Sequence, residues 1–259
     1  MKKYEIAIGL REMFVLRGGF RRMAEDIKNS GEFDADDALQ AFLKSGTLEW
    51  AKNQLQKYIK LMAYYRCAMM EVETKFNVLN EELSLMYDRN PIESVKSRLK
   101  SPESIVDKAV RKGIPFSAES IEKNLSDIAG VRVICSFPGD IYMLADALLR
   151  QDDITLIERK DYIKTPKENG YRSLHLIVEI PIFLHNRTRR MKVEVQLRTI
   201  AMDWWASLEH KIRYKKNIAD DGHVAEELLH CAEMGAALDQ RMEGVYRETT
   251  GAIGDDASC

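Results

Sequence analysis

From about Glu49 to Tyr87, apolar residues return at helical spacing, among them Leu55, Ile59, Met62, Cys67, Met70, Phe76 and Leu79. No proline or glycine interrupts them. This period predicts one long helix, closed by Asn90-Pro91. A helix of that length exceeds what one small core needs, so its stripe packs either against a partner subunit or within its own chain. Ser101-Pro102-Glu103 reads as an N-cap, an N1 proline and an acidic first turn, opening a helix that Gly113 and Pro115 close. A short helix is expected after Ser117.

Past Asp127 the period changes from helix to strand. IAGVRVICSF, DITLIERKDYI, YRSLHLIVEI and RMKVEVQLRT predict four strands, with the helix DIYMLADALLR after the first and the helix AMDWWASLEHKIRYKK after the last. This order describes an α/β domain whose mixed sheet is mostly antiparallel in its later strands and flanked by helices. The acidic stretch HVAEELLHCAEMGAALDQRMEGVYRE predicts one or two closing helices, and TTGAIGDDASC a frayed end. FRRMAEDI and DDALQAFL are short helical patterns near the start. The chain thus divides into an N-terminal helical extension (1–55), the long helix (56–92), the α/β domain (93–216), a C-terminal helical segment (217–248) and a tail (249–259).

Alternation assigns faces. In MKVEVQLRT, Val193, Val195 and Leu197 point one way and Lys192, Glu194, Gln196 and Arg198 the other. In YRSLHLIVEI, Leu174, Leu176 and Val178 oppose Ser173, His175 and Glu179. If these strands are neighbours, one sheet face carries a histidine, a carboxylate and two cations, a pattern that an ordinary solvated face also produces. Asp127 stands just before the first of these strands. It is either a turn former or, with Glu194, an oxygen ligand for a hard divalent cation. Arg98 and Lys100 precede the N-cap Ser101, where they either meet an anion or sit on the surface. Neither a P-loop nor a dinucleotide fingerprint occurs.

Charge localises the chemistry. The formal net charge is only -2, yet Arg159–Lys216 holds 14 Lys/Arg against 6 Asp/Glu, and Asn217 onward holds 2 against 10. At the centre of the basic part lies DYIKTPKENGYRSLH, which mixes cations with Tyr162, Tyr171 and His175. Cations and rings on one loop suit a phosphorylated, ring-bearing ligand. No run of 18 apolar residues predicts a membrane span. The start lacks the apolar stretch of a secretory signal. Cys67, Cys135, Cys231 and Cys259 are too scattered for a zinc or disulfide pattern, and the first three read as buried thiols of a cytoplasmic protein.

Taken together, SRLKSPES, LSDIAGVRVIC, DYIKTPKENGYRSLH and EVQLRTIAMDWWASLEHKIRYKK resemble the synthetase domain of the RelA/SpoT family, most closely a stand-alone small alarmone synthetase of the RelQ type. The resemblance runs from about Ile59 to Arg247. It implies a nucleotidyltransferase-like fold and a GTP pyrophosphokinase that moves the β,γ-pyrophosphate of ATP to the ribose 3'-OH of GDP or GTP, giving ppGpp or pppGpp and AMP, without hydrolase activity. It also implies Mg2+ on Asp127 and Glu194, with Glu194 activating the hydroxyl. ATP would meet Arg98, Lys100, Arg132, Lys160 and Lys164, the two arginines sandwiching adenine. GDP or GTP would meet Lys167, Asn169, Tyr171, His175, Gln196 and Glu209, with Tyr171 stacking on guanine. A homotetramer, activation by the (p)ppGpp product, and no stable nucleic-acid partner complete the expectations. Relatives acting on adenosine nucleotides or the tRNA 3' end, and a non-catalytic nucleotide sensor, are the rivals.

Overall fold

The computed structural model describes residues 47–87, 89–215 and 222–255. The chain divides into two compact units, Met1–Gln56 and Lys57–Cys259, and the second carries the fold described here. The two short helical patterns expected near the start lie outside the described residues, as does Cys259.

The long helix forms as its period predicts: α1 spans Thr47–Tyr87. Leu61, Tyr65, Ala68, Val72, Phe76, Leu79 and Leu83 form its buried face and join the main core. The stripe read from sequence mixes two faces. Met62, Phe76 and Leu79 are buried, whereas Ile59 and Met70 are 59% and 63% exposed. Packing within the chain therefore accounts for one side of the helix and leaves the other uncovered.

Among the described residues five strands form instead of four. β1 (Ile92–Leu99) was not legible, because its apolar residues Ile92, Val95 and Leu99 do not alternate with polar ones. Helices α2 (Pro102–Arg111) and α3 (Ala118–Asn124) follow. Ser101 and Ser117 cap them, each accepting a backbone N–H three residues on. Then come β2 (Ala129–Cys135), α4 (Pro138–Leu149), β3 (Thr155–Asp161), β4 (Leu174–Leu184), β5 (Arg187–Thr199), α5 (Ile200–Lys215) and α6 (Gly222–Asp255). The acidic C-terminal region forms a single helix, which runs through Asp255 into the stretch where sequence predicts a tail.

The strand order is β1-β2-β5-β4-β3. Only β2 and β5 pair in parallel, and the other neighbours are antiparallel. The mixed, mostly antiparallel sheet flanked by helices is therefore the observed fold. Val131, Val133, Leu174, Leu176, Val178, Val193, Val195 and Leu197 form one sheet face and share a core with α1, Ile105, Ile121, Ile141, Leu144 and Leu148. Among the cysteines expected to be buried, only Cys135 is. Cys67 and Cys231 are half-buried.

Candidate active site

The register places polar residues in two rows across the opposite sheet face. Arg98, Gly130, Glu194, Ile177 and Glu158 make one row, and Lys96, Arg132, Gln196, His175 and Lys160 the next. Five strands thus contribute to a surface on which Glu194 is flanked by cations. Gly130 sits between Arg98 and Glu194, and a Cβ there would meet only the Arg98 carbonyl, at 3.6 Å. An open cleft of about 170 Å³ lies over the β3–β4–β5 side. Its lining includes Lys160, Tyr162, Lys167, His175 and Glu194.

The loop between β3 and β4 is held at several points. Asp161 Oδ1 accepts the backbone N–H groups of Ile163 and Lys164 at 3.1 and 3.0 Å. Asn169 Oδ1 accepts Tyr171 N–H at 3.2 Å, and its amide nitrogen donates to Glu209 Oε1 at 3.4 Å. Arg172 reaches the carbonyl oxygens of Gly170 and Ala232, tying the loop to α6. Gly170 has φ +85°, and a Cβ there would stand 2.6 Å from the Ala232 Cβ. Only glycine satisfies both the left-handed backbone and the close approach to α6.

Hydrogen bonds inside the site assign each proton. Arg198 donates to Tyr171 Oη at 2.6 Å, and Tyr171 Oη lies 2.8 Å from His175 Nε2. His175 Nδ1 is 3.3 Å from Glu194 Oε1. An ionised carboxylate only accepts, so Nδ1 carries the hydrogen, Nε2 accepts from the tyrosine, and the phenol oxygen accepts from Arg198. Gln196 donates to Glu194 Oε2 at 2.8 Å and accepts from Arg198 at 2.9 Å. Burial works to raise the Glu194 pKa, but the His175 and Gln196 contacts prevail and hold it below the usual carboxylate range. Tyr171 is shifted upward by burial, against the pull of Arg198.

Asp127 lies in the turn before β2. Its Oδ2 accepts from Lys100 at 2.7 Å and Lys108 at 2.6 Å. Burial raises its pKa, yet the two ammonium groups outweigh it, and the net shift is downward. The second oxygen, Oδ1, is buried without a hydrogen-bond partner. The negative charge of Asp127 also acts on Glu194. One bare carboxylate oxygen and a second carboxylate near enough to feel its charge suit a hard cation that completes its shell with water and phosphate oxygens. No group of three His, Cys, Asp or Glu side chains able to hold a metal occurs among the described residues.

The structure brings Glu194, Gln196, His175, Tyr171, Lys167 and Lys160 together at the cleft, with Lys160 paired to Glu158 at 3.0 Å. The Lys167 ammonium stands 4.6 Å and 4.8 Å from the rings of Tyr162 and Tyr171. Arg98 is exposed on β1. Arg132 turns toward α5, where it donates to Asp203 at 3.0 Å. Lys164 departs from the group: its ammonium lies 5.3 Å over the Tyr142 ring of α4. Sequence reasoning missed Lys108, Arg172, Arg198 and Asp203 as members of the site. Arg198 shares its strand face with Glu194 and Gln196, and that alternation was the available signal. The others have partners that no local spacing reveals.

Residues 97–219 match the family model described as the region found in RelA / SpoT proteins. The GTP pyrophosphokinase YwaC of Bacillus subtilis is 46% identical over 197 residues, covering 76% of this chain and 94% of that protein. The crystal structure of small alarmone synthetase 2 from Bacillus subtilis aligns with a TM-score of 0.68 at 46% identity, over 74% of this chain and 98% of the other. Small alarmone synthetase 1 from the same organism, bound to its product pppGpp, aligns with a TM-score of 0.68 at 35% identity, over 74% and 98% of the two chains.

Proposed function

The chain belongs to the RelA/SpoT family, in its synthetase domain and closely matching the stand-alone small alarmone synthetases, and from that premise we propose that it makes (p)ppGpp from ATP and GDP or GTP. The observation that carries the proposal is Glu194, held by His175 and Gln196 at the floor of a cleft edged by Lys160, Lys167 and the Tyr162 ring.

In the reaction the ribose 3'-oxygen attacks the β-phosphorus of ATP. The new O–P bond forms, the bond to the α,β-bridging oxygen breaks, and AMP leaves with that oxygen. Charge on the phosphoryl oxygens is the main demand, so cationic side chains and positioning supply most of the rate. Arg98, Lys100 and Arg132 serve the ATP side, from β1, β2 and the turn between β1 and α2. Lys160 and Lys167 meet phosphates above β3 and β4. Tyr171 presents its ring to the guanine, while its hydroxyl stays in the chain from Arg198 to His175. Glu194 takes the 3'-hydroxyl proton as the O–P bond forms, and His175 fixes the carboxylate's orientation. Asp127 and Glu194 would hold Mg2+, which neutralises phosphate charge when bound.

Purified protein incubated with labelled ATP, Mg2+ and either GDP or GTP should yield AMP and a guanosine nucleotide carrying two added phosphates. Labelled product only with adenosine nucleotides or tRNA as acceptor would assign the chain to the rival chemistry, and nucleotide binding without any product would make it a sensor.

A further inference from the structure

Arg198 is the one buried cation among the described residues, 4% exposed, and its four hydrogen bonds all go to residues that frame the site. It donates to Ser173 Oγ at 3.4 Å, Tyr171 Oη at 2.6 Å, Gln196 Oε1 at 2.9 Å and Asp203 Oδ1 at 3.2 Å. Asp203 Oδ1 also accepts from Arg132 at 3.0 Å. Two guanidinium groups from different strands therefore share one carboxylate oxygen. A buried guanidinium is costly unless paired, and Arg132 is half-buried beside a second cation. Burial depresses the Arg132 pKa and Arg198 depresses it further, while Asp203 works in the opposite direction.

A purely structural ion pair would also satisfy these groups. The partners argue for more, since one arginine serves the ATP side and the other anchors the acceptor-side tyrosine. We propose that Asp203 and Arg198 are positioning residues that couple the two nucleotide subsites, so that ATP bound at Arg132 tightens the hold on the guanosine nucleotide. The inference rests on the synthetase reading above. When Arg132 turns from Asp203 to a bound nucleotide, the carboxylate is left to Arg198 alone. The firmer Asp203–Arg198 pair then fixes the Tyr171 hydroxyl, and through it His175 and Glu194. Linkage requires the reverse effect to be equal, so GDP should tighten ATP by the same factor.

The test is GDP binding by titration calorimetry, with and without saturating α,β-methylene ATP, whose carbon bridge replaces the bond that breaks. In the native protein the analogue should tighten GDP by about fivefold or more, at the lower end of typical coupling. In Asp203→Asn, which keeps the shape and loses the charge, the gain should fall below about twofold. Asp203→Glu should restore part of it, and Tyr171→Phe, which cuts the arm from Arg198 to His175, should abolish it. Melting temperatures within a few degrees of native would show that the variants are folded. Native protein without coupling, or coupling undiminished in folded Asp203→Asn, would overturn the proposal. Failure of the native protein to bind either GDP or GTP, with or without the analogue, would overturn the synthetase reading and this inference with it.

Discussion

Asp127 gives one oxygen to two lysines and leaves the other bare, and Glu194 gives each of its oxygens one donor. Both carboxylates are therefore ionised well into mild acid. Asp127→Asn and Glu194→Gln should each keep the fold and cut pyrophosphate transfer about a thousandfold or more, roughly 4 kcal/mol in the transition state. Activity near the native level in either variant, at saturating Mg2+, would remove that residue from the chemistry. The Asp127 pair also predicts a pH dependence of stability. Its folded pKa is depressed, so the stabilisation is present above the unfolded carboxylate value and is lost as pH falls through the folded one. The melting temperature of native protein should exceed that of Asp127→Asn at neutral pH. The gap should close only below the ordinary carboxylate range, and a constant gap down to pH 3 would contradict it.

Among the elements, the β3–β4 loop and α6 depend on one another. Gly170→Ala forces a left-handed alanine, costing about 1–2 kcal/mol, and also drives its methyl into Ala232. The loop should shift, and acceptor use should fall more than ATP affinity. Equal losses for both nucleotides would mean that the loop does not serve the acceptor. Farther along, α6 is held to the body by a second contact. Arg89 makes two bonds to Asp140, which is 3% exposed, and lies 5.2 Å and 4.7 Å from the stacked rings of Phe137 and Tyr246. Glu243 adds an acceptor for Gly139 N–H at 3.1 Å. Arg89→Ala leaves the Asp140 charge buried without its cation and should cost about 3 kcal/mol, the lower end for a buried pair because Arg89 is partly exposed. Hydrogen exchange should rise first over residues 239–250, and uniform exchange across the chain would show that the contact does not hold α6 in particular.

For the whole molecule, the exposed faces of α1 and α6 bear on assembly. Met234, Leu238, Met242 and Val245 follow one side of α6 and are each more than half exposed, as are Ile59, Met70 and Val78 on α1. Burying such stripes between copies stabilises an oligomer. Sedimentation at micromolar concentration should find one, and we propose a tetramer. A monomer over the whole accessible range would refute it. Which residues are legible without a structure follows from the range of the forces that place them. Period 2 in MKVEVQLRT and period 3.6 in α1 are local, so the sequence alone determines that Glu194, Gln196 and Arg198 share a polar face and that α1 is a helix. It also marks the caps at Ser101 and Ser117, because capping is settled within three residues. β1 escapes the same reading since its apolar residues Ile92, Val95 and Leu99 fall at helical rather than alternating spacing. Alternation says which way a side chain points and nothing about which strand lies beside it. The placement of β5 between β2 and β4 is decided by the shared core beneath the sheet. That placement alone sets Arg98, Arg132 and Asp127 on one side of Glu194 and His175 on the other. Asp203 meeting Arg132 across 71 positions belongs to the same class: its cause is the packing of α5 against the sheet, which no segment of the chain contains by itself.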